Sequence, residues 1–139
     1  MSLLIGDRMP APLRFEFGVL SVAGGAARAV LLGSLDEDGS VRFCVLSTAE
    51  IEAPDDRRLR IALAKDSATR GNLTQRGAAS LWCVLDGAAY TVKGRAKQSA
   101  AADDPERHSF EIEVESVWRD FRPDAPMIAG PTYRVPAED

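Results

Sequence analysis

Between Phe110 and Ser116 apolar and acidic residues alternate without a slip, with Phe110, Ile112 and Val114 on one side and Glu111, Glu113 and Glu115 on the other. A two-residue period is that of a strand with one buried and one solvated face. The run SLWCVL, then Asp86 and Gly87, then AAYTVKGRA predicts a hairpin, because a two-residue turn with both residues at positive φ favours Asp-Gly. Counting back from that turn pairs Leu85 with Ala88, Cys83 with Tyr90 and Trp82 with Thr91. Upstream, AVLLGSL and SVRFCVLS flank an acidic loop ending in Gly39, which predicts a second hairpin. In its second arm Val41, Phe43 and Val45 face one way and Arg42, Cys44 and Leu46 the other.

After the polar turn at Pro54, Asp55 and Asp56, RLRIALA predicts a short strand. Asp66 or Ser67 then caps a helix that runs to about Arg76 and stops at Gly77. Leu13, Phe17 and Leu20 recur at helical spacing and predict a short helix from Leu13 to Leu20. The first twelve residues, with Pro10 and Pro12, suit an arm ahead of one domain spanning 13–139. The polar, alanine-rich stretch from Gln98 to Arg107 predicts a mobile loop without function. Six strands, with one helix between the third and fourth, predict a mainly β protein built as a closed or partly closed antiparallel barrel.

Composition narrows the function. A length of 139 residues with 45% hydrophobic content suits a single core. The net charge is −4 and basic residues alternate with acidic ones, so the footprint of a nucleic-acid binder is missing. The apolar runs at Ala29–Leu35 and Leu81–Leu85 fall far short of the roughly 20 residues a membrane-spanning helix needs. Asp7 and Arg8 interrupt the N-terminal apolar patch where a secretory signal would continue, so the expected location is cytoplasmic. Cys44 and Cys83 sit in strand-like apolar runs as small hydrophobes, outside any CxxC motif. His108 has no second histidine or cysteine at ligand spacing, so no metal site is expected, and nothing supports a Ser-His-Asp triad. The three glutamates of the last strand read as a solvated sheet face.

In order and wording these elements resemble the pyridoxamine-5′-phosphate-oxidase-like, FMN-binding split-barrel family over about Val30 to Tyr133. The likeness lies in LLGSLDEDGSVRFCVLS, DSATRGNL, YTVKGRA, FEIEVESVWRD and IAGPTY. The resemblance implies a six-stranded antiparallel split β-barrel of Greek-key connectivity with one or two short helices. It also implies a homodimer that builds a flavin cleft from two chains. FMN is the implied cofactor, and a deazaflavin or haem is used by other split barrels.

Carried over position by position, Arg42 matches the family's phosphate-binding strand arginine, and Ser67 with Thr69 matches the polar opening of its central helix. Arg70 is a further candidate, and Ser47 stands where the oxidases have a lysine at the end of the second strand. The chain departs from the oxidases at Ala68 and Thr69, where they carry Arg-Lys, and at Ala89 and Thr91, where they carry glutamine and arginine. Its tail, AGPTYRVPAED, lacks a match to the arginine and histidine that grip the pyridoxal substrate. The resemblance therefore implies a relative of that enzyme: an FMN-binding flavoprotein and oxidoreductase acting on an unknown small molecule. The alternative is a noncatalytic relative that has lost the flavin or binds another small ligand. Trp82, Trp118 and Tyr133 are candidates to line a flavin pocket, against the alternative that they fill a core or interface.

Overall fold

Asp86 and Gly87 adopt φ of 51° and 84°, the two left-handed conformations the hairpin turn requires. The strands on either side, β6 (Ala78–Leu85) and β7 (Ala88–Gln98), pair in the expected register, Leu85 with Ala88, Cys83 with Tyr90 and Trp82 with Thr91. These coordinates are a computed structural model of the chain, and they describe residues 1–99 and 105–136.

The other four expected strands are β3 (Ala26–Leu35), β4 (Val41–Ser47), β5 (Arg58–Ala64) and β8 (Arg107–Asp120). Antiparallel pairing links them in the order β4-β3-β6-β7-β8-β5, with no pairing between β4 and β5. The architecture is a mainly β, antiparallel split barrel with two short α-helices among the described residues. Phe110, Ile112 and Val114 of β8 fill its interior with Leu32, Leu59, Leu81 and Val92, all at most 1% exposed.

Helix α2 (Ala68–Arg76) packs on β3, β4, β5 and β7, so it covers the side where the two edge strands part. Ser67 Oγ caps it by accepting from the Arg70 amide at 3.3 Å, and Gly77 at φ 77° ends it in the left-handed conformation. Leu73 is its buried apolar anchor.

The start of the chain is more structured than an arm. Residues Ser2–Gly6 form β1, an exposed strand paired to the end of β8, and Met9 is buried. Helix α1 spans Ala11–Glu16 and does not reach Leu20, because Gly18 takes φ 84° just beyond its end. Leu13 and Phe17 enter the core while Leu20 stays exposed. Two short strands unread in the sequence, β2 (Val22–Ala23) and β9 (Thr132–Arg134), pair with the first residues of β3. Gln98 and Arg107 belong to β7 and β8, and residues 100–104 of the loop expected between them lie outside the described residues.

Between β7 and β8 the register shifts, with Lys93 opposite Ser116 but Gly94 opposite Val114. The bulge lets Val117 point inward in place of Ser116. A Cβ on Gly94 would stand 2.2 Å from the Glu113 carbonyl oxygen and 2.9 Å from Ile112 Cγ2. Gly94→Ala is therefore expected to cost at least about 1–3 kcal/mol, the scale of overpacking. Urea unfolding checks this, and an unchanged midpoint would contradict the close approach.

Candidate functional site

Arg42, Cys44 and Leu46 occupy the inner face of β4, and the first two lie toward α2. Arg42 sits at the rim, where Asp36 in the β3–β4 turn meets its guanidinium with Nε donating to Oδ1 at 2.8 Å. The same Asp36 oxygen accepts from Asn72 Nδ2 of α2 at 2.8 Å, and Asn72 Nδ2 also reaches Ser34 Oγ at 3.1 Å. Arg76 closes the cluster by donating to Asn72 Oδ1 at 2.7 Å and to the Leu35 carbonyl at 2.7 Å. Ser34 and Asn72 are buried, so these bonds satisfy groups that would otherwise be costly to desolvate.

The Arg42 hydrogen bond, followed by that from Asn72, holds the Asp36 carboxyl below its ordinary pKa, while Asp36 raises that of Arg42. A carboxylate shifted down stabilises the fold above its ordinary value near 3.8, and that contribution is lost as pH falls through the depressed value. The pair also matters for ligands. Much of the Arg42 charge is already answered within the chain.

The opening of α2 lies alongside. Thr69 is buried and its hydroxyl bonds with the Cys44 thiol, which burial nonetheless pushes up, so Cys44 stays a neutral thiol. Ser67 is occupied as the helix cap. Arg70 turns back to donate from Nε to the Lys65 carbonyl at 3.0 Å. Ser67, Thr69 and Arg70 thus share the first turn of α2 beside the inner face of β4, with Arg42 held over the second turn through Asp36 and Asn72.

Ser47 is elsewhere. It lies five residues along β4 from Arg42, about 16 Å at strand rise, and on the opposite face. There its Oγ accepts from the Ala49 amide at 3.1 Å and bonds with the Tyr133 hydroxyl at 2.8 Å. Ser47 and Arg42 do not converge, and Tyr133 is engaged with Ser47.

The outer face of β4 carries what the sequence left open. Val41, Phe43 and Val45 are 56%, 63% and 64% exposed. Cross-strand pairing sets Val45 in one row with Leu31, Trp82, Thr91, Trp118 and Leu4. Residues directly opposite one another share a face, so this is a belt over β4, β3, β6, β7, β8 and β1 that is apolar except at Thr91. The Lys93 ammonium stands 5.9 Å from the Trp118 ring centre. Next to the belt, a groove of about 360 Å³ runs between Val41, Phe43 and Leu35 and the cations Lys93 and Arg95. Phe43 folds over Gly33, where a Cβ would lie 3.4 Å from the ring.

No protein-family model matches the sequence, and no curated protein matches it either. Solved structures do match the fold. A protein from Lactobacillus delbrueckii, provisionally named a pyridoxamine 5′-phosphate oxidase, superposes with a TM-score of 0.66 at 15% identity, over 84% of this chain and 98% of that one. An FMN-binding protein from Syntrophomonas wolfei gives 0.55 at 13% identity, over 65% and 75% of the two chains. PhzG from Burkholderia lata, solved with tetrahydrophenazine-1-carboxylic acid, gives 0.56 at 15% identity, over 70% and 71%. From its strand order and these matches, the chain has the split-barrel fold of the pyridoxamine-5′-phosphate-oxidase-like, FMN-binding proteins.

Proposed function

We propose that this protein is a flavin-binding homodimer, an oxidoreductase whose small-molecule substrate differs from that of the pyridoxamine-phosphate oxidases. The observation that carries the reading is the outer face, where the exposed Val41, Phe43 and Val45 continue into Trp82 and Trp118 beside Lys93 and Arg95. An apolar belt of this breadth is what a second chain requires, and in this fold a flavin cleft is built where two chains meet. A bound flavin supplies the hydride or electron transfer; the protein supplies position and electrostatics.

The residues present suit such a group. The free amides at the start of α2, with Ser67, Thr69 and Arg70, form a helix N-terminus suited to a phosphate. Arg42 supplies a cation at the neighbouring rim once it exchanges Asp36 for the ligand. Trp82 and Trp118 lie on the outer face with Val45, opposite Arg42, and offer their apolar surface to the second chain. A deazaflavin fits the same reasoning, as an F420 reductase shares the fold with a TM-score of 0.54 at 11% identity. The free thiols Cys44 and Cys83 suit the reducing cytoplasm, where we place the protein.

A second reading has its own support. The Asp36 carboxylate already pairs with Arg42, as expected of a relative that has given up a phosphate ligand. Asp36→Asn separates the two, because asparagine keeps an acceptor for Asn72 and removes the competing charge. FMN is expected to bind this variant roughly tenfold more tightly than the parent, about 1.4 kcal/mol. Flavin fluorescence reads the change, and equal affinities would mean that Asp36 does not compete with the phosphate. The absorption spectrum of the purified protein, alone and with FMN, a deazaflavin or haem added, tests the proposal as a whole. A protein that stays colourless with all three would support the noncatalytic reading.

A further inference from the structure

At the start of β3, the opposite end of that strand from Asp36, lies a cavity of about 660 Å³ that the flavin reading does not use. This volume is within the usual range of small-molecule sites. Its walls are the β2–β3 hairpin, the β6–β7 turn and the segment 127–132, and they are fastened to one another. The Met127 amide donates to the Gly87 carbonyl at 2.9 Å, and the Ala29 amide to the Pro131 carbonyl at 2.9 Å. Gly130 lies so close to Val84 that a Cβ there would stand 2.6 Å from the valine Cβ. The cavity is therefore preformed.

Two charged side chains reach its wall, Glu16 from the end of α1 and Arg28 from β3, 19% and 30% exposed. They pair through Arg28 Nη1 and Glu16 Oε1. A guanidinium has five N–H donors and a carboxylate two oxygens. Among the described residues, the four remaining donors of Arg28 and Oε2 of Glu16 meet no protein partner. An unused cationic donor set and an unused anionic acceptor thus stand side by side in a cavity of ligand size, with Val22, Val84 and Met127 as apolar lining. Asp86 at the rim adds a second carboxylate.

We propose that this cavity binds a small zwitterion with an apolar body, a free α-amino acid with an aliphatic side chain being the simplest. The ligand carboxylate lies on the open N–H groups of Arg28, where a bidentate contact is the strong geometry, and its ammonium lies on Glu16 Oε2. Both charges of an α-amino acid are carried on adjacent positions, as are the two halves of the ion pair. A ligand with one charge answers one half and strips water from the other without replacement. Cys83, buried behind the pair with its thiol pushed up to about 11, stays neutral, so the site binds without covalent chemistry.

The test is a two-dimensional NMR titration of the whole chain with L-leucine, with 4-methylpentanoate, which has only the carboxylate, and with 3-methylbutylamine, which has only the ammonium. Leucine is expected to shift the amides of Gly87, Ala129 and Gly130 saturably, and each analogue to bind at least about tenfold more weakly. The double variant Glu16→Leu with Arg28→Met removes both charges together, a change that folds tolerate better than loss of one partner. It is expected to keep a dispersed spectrum and lose the response to leucine. The proposal is overturned if leucine gives no saturable shift at about 10 mM, well above the millimolar affinity expected of so small a ligand. Analogues that match leucine, or a double variant that binds it like the parent, overturn it as well. The comparison of the three ligands on the parent stands even if the double variant does not fold.

Discussion

Phe110→Ala is expected to lower the stability of the fold by about 3–5 kcal/mol, the range for removing a fully buried aromatic ring. Phe110 is 0% exposed and lies opposite both Ile61 of β5 and Gln98 of β7, so the cavity left behind opens where three strands meet. Ile112 and Val114, the next inward residues on β8, hold the surrounding backbone in place and limit its collapse into the gap. Chemical denaturation of parent and variant measures the difference. A loss below about 1 kcal/mol would mean the ring is not packed as described.

The second large effect concerns the proposed homodimer. The parent is expected to scatter light at twice the chain mass of 15.0 kDa, and Phe43→Asp at the mass of one chain. Phe43 is 63% exposed in the single chain and central on the outer face of β4, between Val41 and Val45. An aspartate there places an unpaired charge inside an apolar contact, and central aromatic residues carry about 2–4 kcal/mol of association free energy. The same exposure means the fold itself barely depends on the ring, so its circular dichroism is expected to stay that of the parent. A parent that scatters as one chain at micromolar concentration would contradict the homodimer.

Much of the fold is legible in the sequence because the local signals agree. Asp86-Gly87 sets both turn and register, the FEIEVES alternation sets the inner face of β8, and Ser67 and Gly77 bracket α2 with chemistry that only helix ends need. Three things are not local. The strands β1, β2 and β9 have only five, two and three residues, too few for a period to show, and exist because β8 and β3 offer them free edges. The β7–β8 bulge resets the alternation after Val114, which hydropathy alone does not announce.

The third is the orientation of β4. Alternation separates Val41, Phe43 and Val45 from Arg42, Cys44 and Leu46 but does not say which set faces inward. Hydrophobicity favours the first set, yet Val41, Phe43 and Val45 stay exposed while Leu46 is buried, Cys44 half-buried and Arg42 left at the rim. The candidate site follows the same rule. Neighbours in sequence, Ser67, Thr69 and Arg70, are together by necessity, whereas Arg42 is held by Asp36 of the acidic turn, which in turn accepts from Asn72, thirty-six residues further on. Ser47 is the instructive case. Its odd spacing from Arg42 already places it on the other face of the strand, a consequence of the two-residue period that the family resemblance by itself does not reveal.

Flavin binding through a phosphate on Arg42 is the central claim, and a fluorescence titration of the parent and Arg42→Ala with FMN and with riboflavin tests it most directly. FMN and riboflavin differ by the phosphate alone, so the pair isolates that contact. Thr69→Ala, which removes a neutral hydroxyl, serves as the milder control, with an expected loss of about 1 kcal/mol for FMN. FMN is expected to bind the parent and to lose about 1.5–3 kcal/mol, roughly tenfold to a hundredfold, in Arg42→Ala, while riboflavin binds parent and variant alike. Equal losses for the two flavins, or no binding of FMN by the parent, would contradict it.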